Sequence, residues 1–415
     1  MLPFSSRIYY GWVIAATMGA VGACSMGLAT LNFGLFIKPM GDELGIGRTA
    51  FGLAQSSRQV AAALAAPVVG PWIDRWGARY LLALAAVLTG AGVALLYFVD
   101  AGWQIVLLFA VMGVLGIGGP GSLVTAVPVT KWFVRQRGRA LAWMSLGVPL
   151  GGITIMPLSQ WLIEAFGWRA AWPFLAGLAV AIIVPLSLIF VRRIPEDHGL
   201  QPDGGWVPLE AGGIARDEEA WTRAEAFASS AFWRLVIAFS LIGLGVGSIA
   251  LHRIAAFMDR GLDPMMISFA TGLDAAASGV TQFAAGMLIH RIPIRFVGAF
   301  GFLLLATASI LTILTFGNAL LFASMIFFGF GIGVWILLET FIWADYFGRQ
   351  NLGSIRGAVM PVTLISGAAG APIAGYVRDI TGAYEVAWYV GVSLMIVAAL
   401  ILVATPKPTR PTIDT

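Results

Sequence analysis

Twelve apolar runs, each long enough to cross a bilayer, restrict the fold of this chain more than any other feature. They lie near residues 11–37, 49–72, 80–98, 104–131, 139–164 and 169–191, then near 232–258, 264–289, 295–315, 318–347, 357–379 and 385–404. About twenty residues at 1.5 Å each cover roughly 30 Å of hydrocarbon. Inside lipid every backbone N–H and C=O must be satisfied within the segment, so such runs are helices. The composition agrees, with 59% hydrophobic and 11% charged residues, against about 25% charged in soluble domains. Fifty-one glycines suit helices that pack closely where lipid supplies no hydrophobic drive between them. Only Arg7 precedes the first run, which is too long for a signal-peptide core, so it is expected to remain as the first span.

The basic residues orient the spans. With both termini inside, the cytoplasmic segments hold eighteen Lys and Arg and the outer segments five, Lys38, Arg48, Arg169, Arg260 and Arg378. The positive-inside rule therefore places both ends in the cytoplasm of a multi-pass protein of the cell membrane. Two arginines, Arg58 and Arg253, fall within spans, where an arginine costs about 2.5–3.5 kcal/mol on insertion scales.

The two halves echo each other. "GPWIDRWGAR" from Gly70 aligns with "GMLIHRIPIR" from Gly286, and the same offset of 216 carries Trp172 onto Trp388. Such parallel repeats are related by an axis along the membrane normal. The expected organisation is a six-helix bundle over 1–192, a cytoplasmic linker with an amphipathic helix over 193–230, a second six-helix bundle over 231–405, and a cytoplasmic tail over 406–415. The fold class is thus all-α membrane protein, with twelve transmembrane helices in two pseudo-symmetric bundles.

In "GPWIDRWGAR", Gly70 lets helices approach, and Asp74 is placed to cap a helix or to meet a basic residue such as Arg139 in the next cytoplasmic loop. The stretch resembles the loop signature between the second and third helices of the major facilitator superfamily, which Gly70, Asp74, Arg75, Gly77 and Arg79 match. The resemblance covers essentially the whole chain and implies a gating latch rather than a substrate site. "YYGWVIA" at Tyr9, "KWFVRQRGRALA" at Lys131, "ADYFGRQNLGSIRG" at Ala344 and the segment around His252 look like the monocarboxylate porter and oxalate/formate antiporter branch. That branch usually carries a carboxylate-binding arginine on the eighth helix, where this chain has Gln282, and a cation on the eleventh, where the span around "GAVMPVTLISGAAGAPIAGYV" has none.

The polar residues within spans are the candidate site, because an intramembrane ionisable group is functional or paired across helices. Arg58 is a substrate or gate arginine, or a structural ion pair with Asp274 or Glu339; its planar fork suits a carboxylate. Asp274 stands at the repeat offset from Arg58, and Asp274, Ser278 and Gln282 share one helical face. Asp274 is the expected proton carrier and Glu339 the second, or an inner gate residue. His252 is a binding or packing histidine. Arg253 is a site residue or reaches the headgroups. Asn32 and Trp335 are expected ligand contacts by family analogy, or else hydrogen-bonding and packing residues.

One cysteine and three histidines leave no metal-site spacing, and no phosphate-binding glycine loop is present. No cofactor, no nucleic-acid partner and no enzymatic activity are expected. The resemblance implies a secondary transporter, working as a monomer in the lipid bilayer, that moves a small organic anion, a mono- or dicarboxylate, with a proton or against a counter-anion. The alternatives are proton-driven efflux of an amphipathic or cationic compound, and a receptor that binds without transport.

Overall fold

The computed structural model describes residues 9–26, 30–76, 78–114, 128–129, 131–133, 136–195, 197, 200–201, 203, 221–289, 291–348 and 351–409, without the side chains of 30–31, 66–76, 137–138 and 352–354. Helices are the regular elements of the described residues, with no strand among them. The first half comprises α1 (Tyr10–Ser25), α2 (Thr30–Leu44), α3 (Arg48–Trp76), α4 (Ala78–Ala94), α5 (Gly102–Val114), α6 (Arg137–Ser145) and α7 (Gly147–Phe190). A short α8 (Arg223–Ala228) leads into α9 (Ser230–Ala250), α10 (Arg253–Asp259), α11 (Pro264–Leu288), α12 (Ile294–Ile313), α13 (Asn318–Phe347), α14 (Leu352–Thr381) and α15 (Glu385–Val403). The first span is α1 with α2, and the seventh is α9 with α10. The fifth and sixth join through Gly167, whose φ of 78° turns the chain inside α7 in a conformation that favours glycine.

Element ends follow local chemistry. Asp263 accepts hydrogen bonds from the amides of Met265 and Met266 at the start of α11, ahead of Pro264 in the first turn. Gly382, at φ 79°, ends α14 as a left-handed cap. Large side chains such as Phe283, Phe300, Ile365 and Leu400 stay exposed, which is the surface hydrocarbon covers in a bundle of this kind.

The repeat is visible in the packing. Trp172 and Trp388 are both buried; the first stacks on Phe36 at 3.7 Å and the second on Tyr384 at 4.9 Å. Arg169 bonds Glu43 at the end of α2 (2.8 Å), and Glu385, at the same offset of 216 from Arg169, pairs with Arg260 beyond α10 (3.8 Å). The two halves thus hold matching ion pairs with the charges exchanged.

The described end of the linker carries a short helix. Thr222 and Glu225 close a capping box on α8, and Trp221, buried, packs edge-on against Phe347 and donates its amide to the Phe347 carbonyl. This end of the linker is bound to α13 through Trp221.

Candidate functional site

The end of the bundle that holds the start of α1 and the end of α15 is the terminal end; the opposite one is the distal end. At the distal end the halves are fastened together. Asp259 of α10 takes Lys38 at 2.9 Å and Arg48 at 3.2 Å, and Arg378 stands 3.8 Å away. Asp379 of α14 accepts the backbone amides of Arg48 (2.7 Å) and Thr49 (2.9 Å), so α3 is capped by a carboxylate from the other half of the molecule. Glycines permit this approach: a Cβ on Gly47 would lie 2.6 Å from Asp379 Oδ2, and one on Gly52 2.6 Å from the backbone of Ala371 and Pro372. Ser56, one turn further along α3, donates to the Ala368 carbonyl. These hydrogen bonds and ion pairs joining the halves all lie along the distal stretch. The first-half core accordingly takes in Leu251, Ile254, Phe257, Ile267 and Ala371 from the second half. Reading for membrane-buried charge passes over Asp259, Arg48, Lys38 and Asp379, which sit at span ends; the available signal was that loops of opposite halves carry complementary charge.

Below this clasp lies a buried ion pair. Arg253, fully buried at the start of α10, donates Nη2 to Asp274 Oδ2 on α11, and its guanidinium carbon stands 3.8 Å from the centre of the Phe328 ring on α13. That approach requires Gly329, where a Cβ would collide with the Asp274 carbonyl oxygen. The Nε and Nη1 of Arg253 have no acceptor among the described residues. A buried donor left unmet costs about 1–3 kcal/mol.

This pairing corrects two expectations. The ion-pair partner of Asp274 is Arg253, not Arg58, and the charge facing Glu339 is Arg356. Arg58 and Asp274 do lie at a common depth, each ten residues from the distal start of its helix, about 15 Å at 1.5 Å per residue. But α3 packs chiefly on α5 and α14, and α11 on α7 and α13, so equal depth does not bring them together. Arg253 does not reach out to headgroups either, since α11 and α13 enclose it.

His252, although adjacent to Arg253, faces away. Its Nε2–H donates to the Ala371 carbonyl at 2.8 Å, and its ring stacks on Tyr384 at 5.3 Å. Neighbouring residues on a helix point about 100° apart, so one enters the α11–α13 side and the other the α14–α15 side. Asn32 on α2 and Arg58 on α3 are buried; Gln282 on α11, and Trp335 and Glu339 on α13, are half-buried. Of the expected latch, Gly77 and the side chains of Asp74 and Arg75 lie outside the described residues, and Gly70 lies within α3. Arg79 is half-buried against the Tyr80 ring at 5.4 Å, and Arg139 is exposed over the Trp12 ring at 5.7 Å.

The family model described as Major Facilitator Superfamily matches residues 18–359. Monocarboxylate transporter 11 of Homo sapiens is 24% identical over 96% of this chain and 83% of its own length. Monocarboxylate transporter 13 of Bos taurus is 27% identical over 42% of each chain, so that match spans less than half of the relative. Among solved structures, the nucleoside transporter NupG superimposes with a TM-score of 0.72 at 14% identity, covering 97% of this chain and 100% of that one. A bacterial homolog of the human lysosomal transporter Spinster, inward-facing and unoccupied, gives 0.69 at 14% identity over 97% of this chain and 96% of that one.

Proposed function

Because this chain belongs to the Major Facilitator Superfamily, and so is a membrane transporter, we propose that its substrate is a small organic carboxylate, carried together with a proton by alternating access. The observation that carries the reading is the Arg253–Asp274 pair, a fully buried arginine with one acid and two unspent nitrogens. An entering carboxylate competes with Asp274 for the guanidinium fork. When it wins, Asp274 is left beside a second anion in a low dielectric, which favours its protonated form. The occupied site then holds Arg253, the substrate anion and a neutral acid, and the empty site holds Arg253 and ionised Asp274; both are neutral. Proton and carboxylate therefore travel together.

The relatives named monocarboxylate transporters support the substrate class. Arginine on the seventh span would take over the role that the branch gives to the eighth, where Gln282 stands. Arg58, at the same depth in the opposite half but apart from Asp274 here, is the proposed second contact once the halves rock together around the anion, with Asn32, Gln282 and Trp335 as further polar and aromatic contacts. His252 is assigned to packing, since its ring is engaged between α14 and α15. With both termini cytoplasmic, the distal clasp of Asp259 and Asp379 is the outer gate, closed here.

The test is counterflow in proteoliposomes with labelled acetate, lactate, pyruvate and oxalate, with and without an imposed pH gradient. Counterflow of at least one, with net uptake driven by protons, is expected. Absence of counterflow for all four refutes the carboxylate reading, and counterflow indifferent to pH removes the proton.

A further inference from the structure

A second acid and arginine face each other nearer the terminal end. Between α9, α13 and α14 lies a small cleft, partly open to solvent, lined by Phe239, Glu339, Trp343, Arg356, Val359 and Thr363 among others. Glu339 and Arg356 are both partly exposed, and among the described residues no ion pair closes between them. Arg356 is the charge that acts on Glu339. Phe239 and Trp343 beside it are uncharged, and among the described residues of α11 and α12, which pack on α13 from other sides, none adds a charge there.

The depth of this pocket differs from that of the first pair. Glu339 lies eight residues before the terminal end of α13, about 12 Å in, whereas Asp274 is about 15 Å from the distal end. Roughly 15–20 Å of the axis separates the two acids. The first pair is closed and buried, while the second is apart and reachable from the terminal end.

We propose that Glu339 and Arg356 form a second station for substrate, where a small carboxylate rests on Arg356 and the accompanying proton on Glu339 before both leave at the terminal end. The inference rests on the carboxylate reading above and extends it. The enclosed part of the cleft has room for about one water and the rest is open, so a ligand of a few heavy atoms would sit across its mouth rather than inside it. Arg356 offers a planar fork to the carboxylate, Thr363 a hydroxyl, and Phe239 and Trp343 an apolar wall for the alkyl part. Charge balances as it does at Arg253. Loaded, the station holds the arginine, the substrate anion and a neutral Glu339; on release the proton passes from the Glu339 carboxyl to water, the carboxylate departs, and ionised Glu339 neutralises Arg356. Trp335, Glu339 and Trp343 follow one another at spacings of four along α13, one stripe of a helix, which supplies a continuous face from mid-membrane to this exit.

The experiment measures KM separately from each face, in right-side-out and inverted vesicles, using whichever of labelled acetate, lactate, pyruvate or oxalate the wild type exchanges. Arg356→Gln is expected to raise KM about tenfold or more at the terminal face, as loss of a charged hydrogen bond does, and to leave it unchanged at the distal face. Thr363→Leu, which fills the space while keeping both charges, should act in the same direction and serves if the arginine variant fails to fold. Glu339→Gln should abolish net proton-driven uptake and retain counterflow. Unchanged KM in both Arg356→Gln and Thr363→Leu, an equal rise at both faces, or loss of counterflow in a stably folded Glu339→Gln overturns the station while leaving the transport reading intact. Failure of the wild type to exchange any of the four anions overturns both.

Discussion

Replacing Gly52 by alanine should unlock the distal end. The added Cβ would sit 2.6 Å from the Ala371 carbonyl carbon and the Pro372 nitrogen and 2.7 Å from the Ala371 oxygen, all backbone atoms that no rotamer can move. Ordinary contact begins at 3.4 Å, so α3 and α14 must part by about 0.8 Å, an overpacking that costs about 1–3 kcal/mol. The same displacement strains the neighbouring Asp379 cap and the Ser56 bond. Because Gly52 meets α14 only while the distal end is closed, the cost falls on that state alone and shifts the population toward distal opening by about 5- to 150-fold. Spin labels at Trp103→Cys and Phe316→Cys, exposed positions at the distal end of opposite halves, in a Cys24→Ala background, report the separation by pulsed electron resonance. Longer distances are expected for Gly52→Ala, and longer again for Gly52→Leu. An unchanged distribution in both variants refutes the claim that the α3–α14 seam holds the end shut.

Other perturbations follow the same logic. Arg253→Gln leaves Asp274 buried without its cation, so thermal stability should fall by about 3–5 kcal/mol; adding Asp274→Asn should restore most of the stability but no transport, and restored transport would remove the pair from the site. Asp379→Ala deprives α3 of its cap at a cost of about 1 kcal/mol, visible as faster hydrogen exchange at the amides of residues 48–50; unaltered exchange would mean the cap contributes nothing. Outside the spans, hydrogen bonds from Arg169 first and Trp168 second hold the Glu43 carboxyl below its ordinary 4.5. Its contribution is therefore complete above about pH 4.5 and is lost as pH falls through the lower folded value, so Glu43→Gln should flatten the acid limb of a melting-temperature profile. Lys38 is held above its ordinary 10.5, chiefly by its hydrogen bond to Asp259, so its share of the clasp is complete below that pH and lost only as pH rises through the higher folded value. Wild-type melting temperatures should accordingly owe no slope to Lys38 between pH 5 and 9, and a Lys38→Met profile that differs in slope there would contradict this.

The sequence by itself determined the apolar spans and the echo between the halves, because lipid forces each apolar run to satisfy its own backbone and a rise of 1.5 Å per residue turns position into depth. Depth placed Arg58 level with Asp274, and the offset of 216 made them look like partners. The tertiary structure alone decided rotation and neighbourhood. Gly329 brings α13 against Asp274, α10 turns Arg253 inward to meet it, and His252, one residue earlier, is turned toward Ala371 and Tyr384. A sequence gives the angle between adjacent side chains but not the absolute direction in which either points; that is set by which glycines let which backbones touch, a property of pairs of helices distant in the chain. The distal clasp was hidden for the same reason. Asp379 caps a helix that begins 331 residues before it, and no local rule connects a helix end to a carboxylate from the other half.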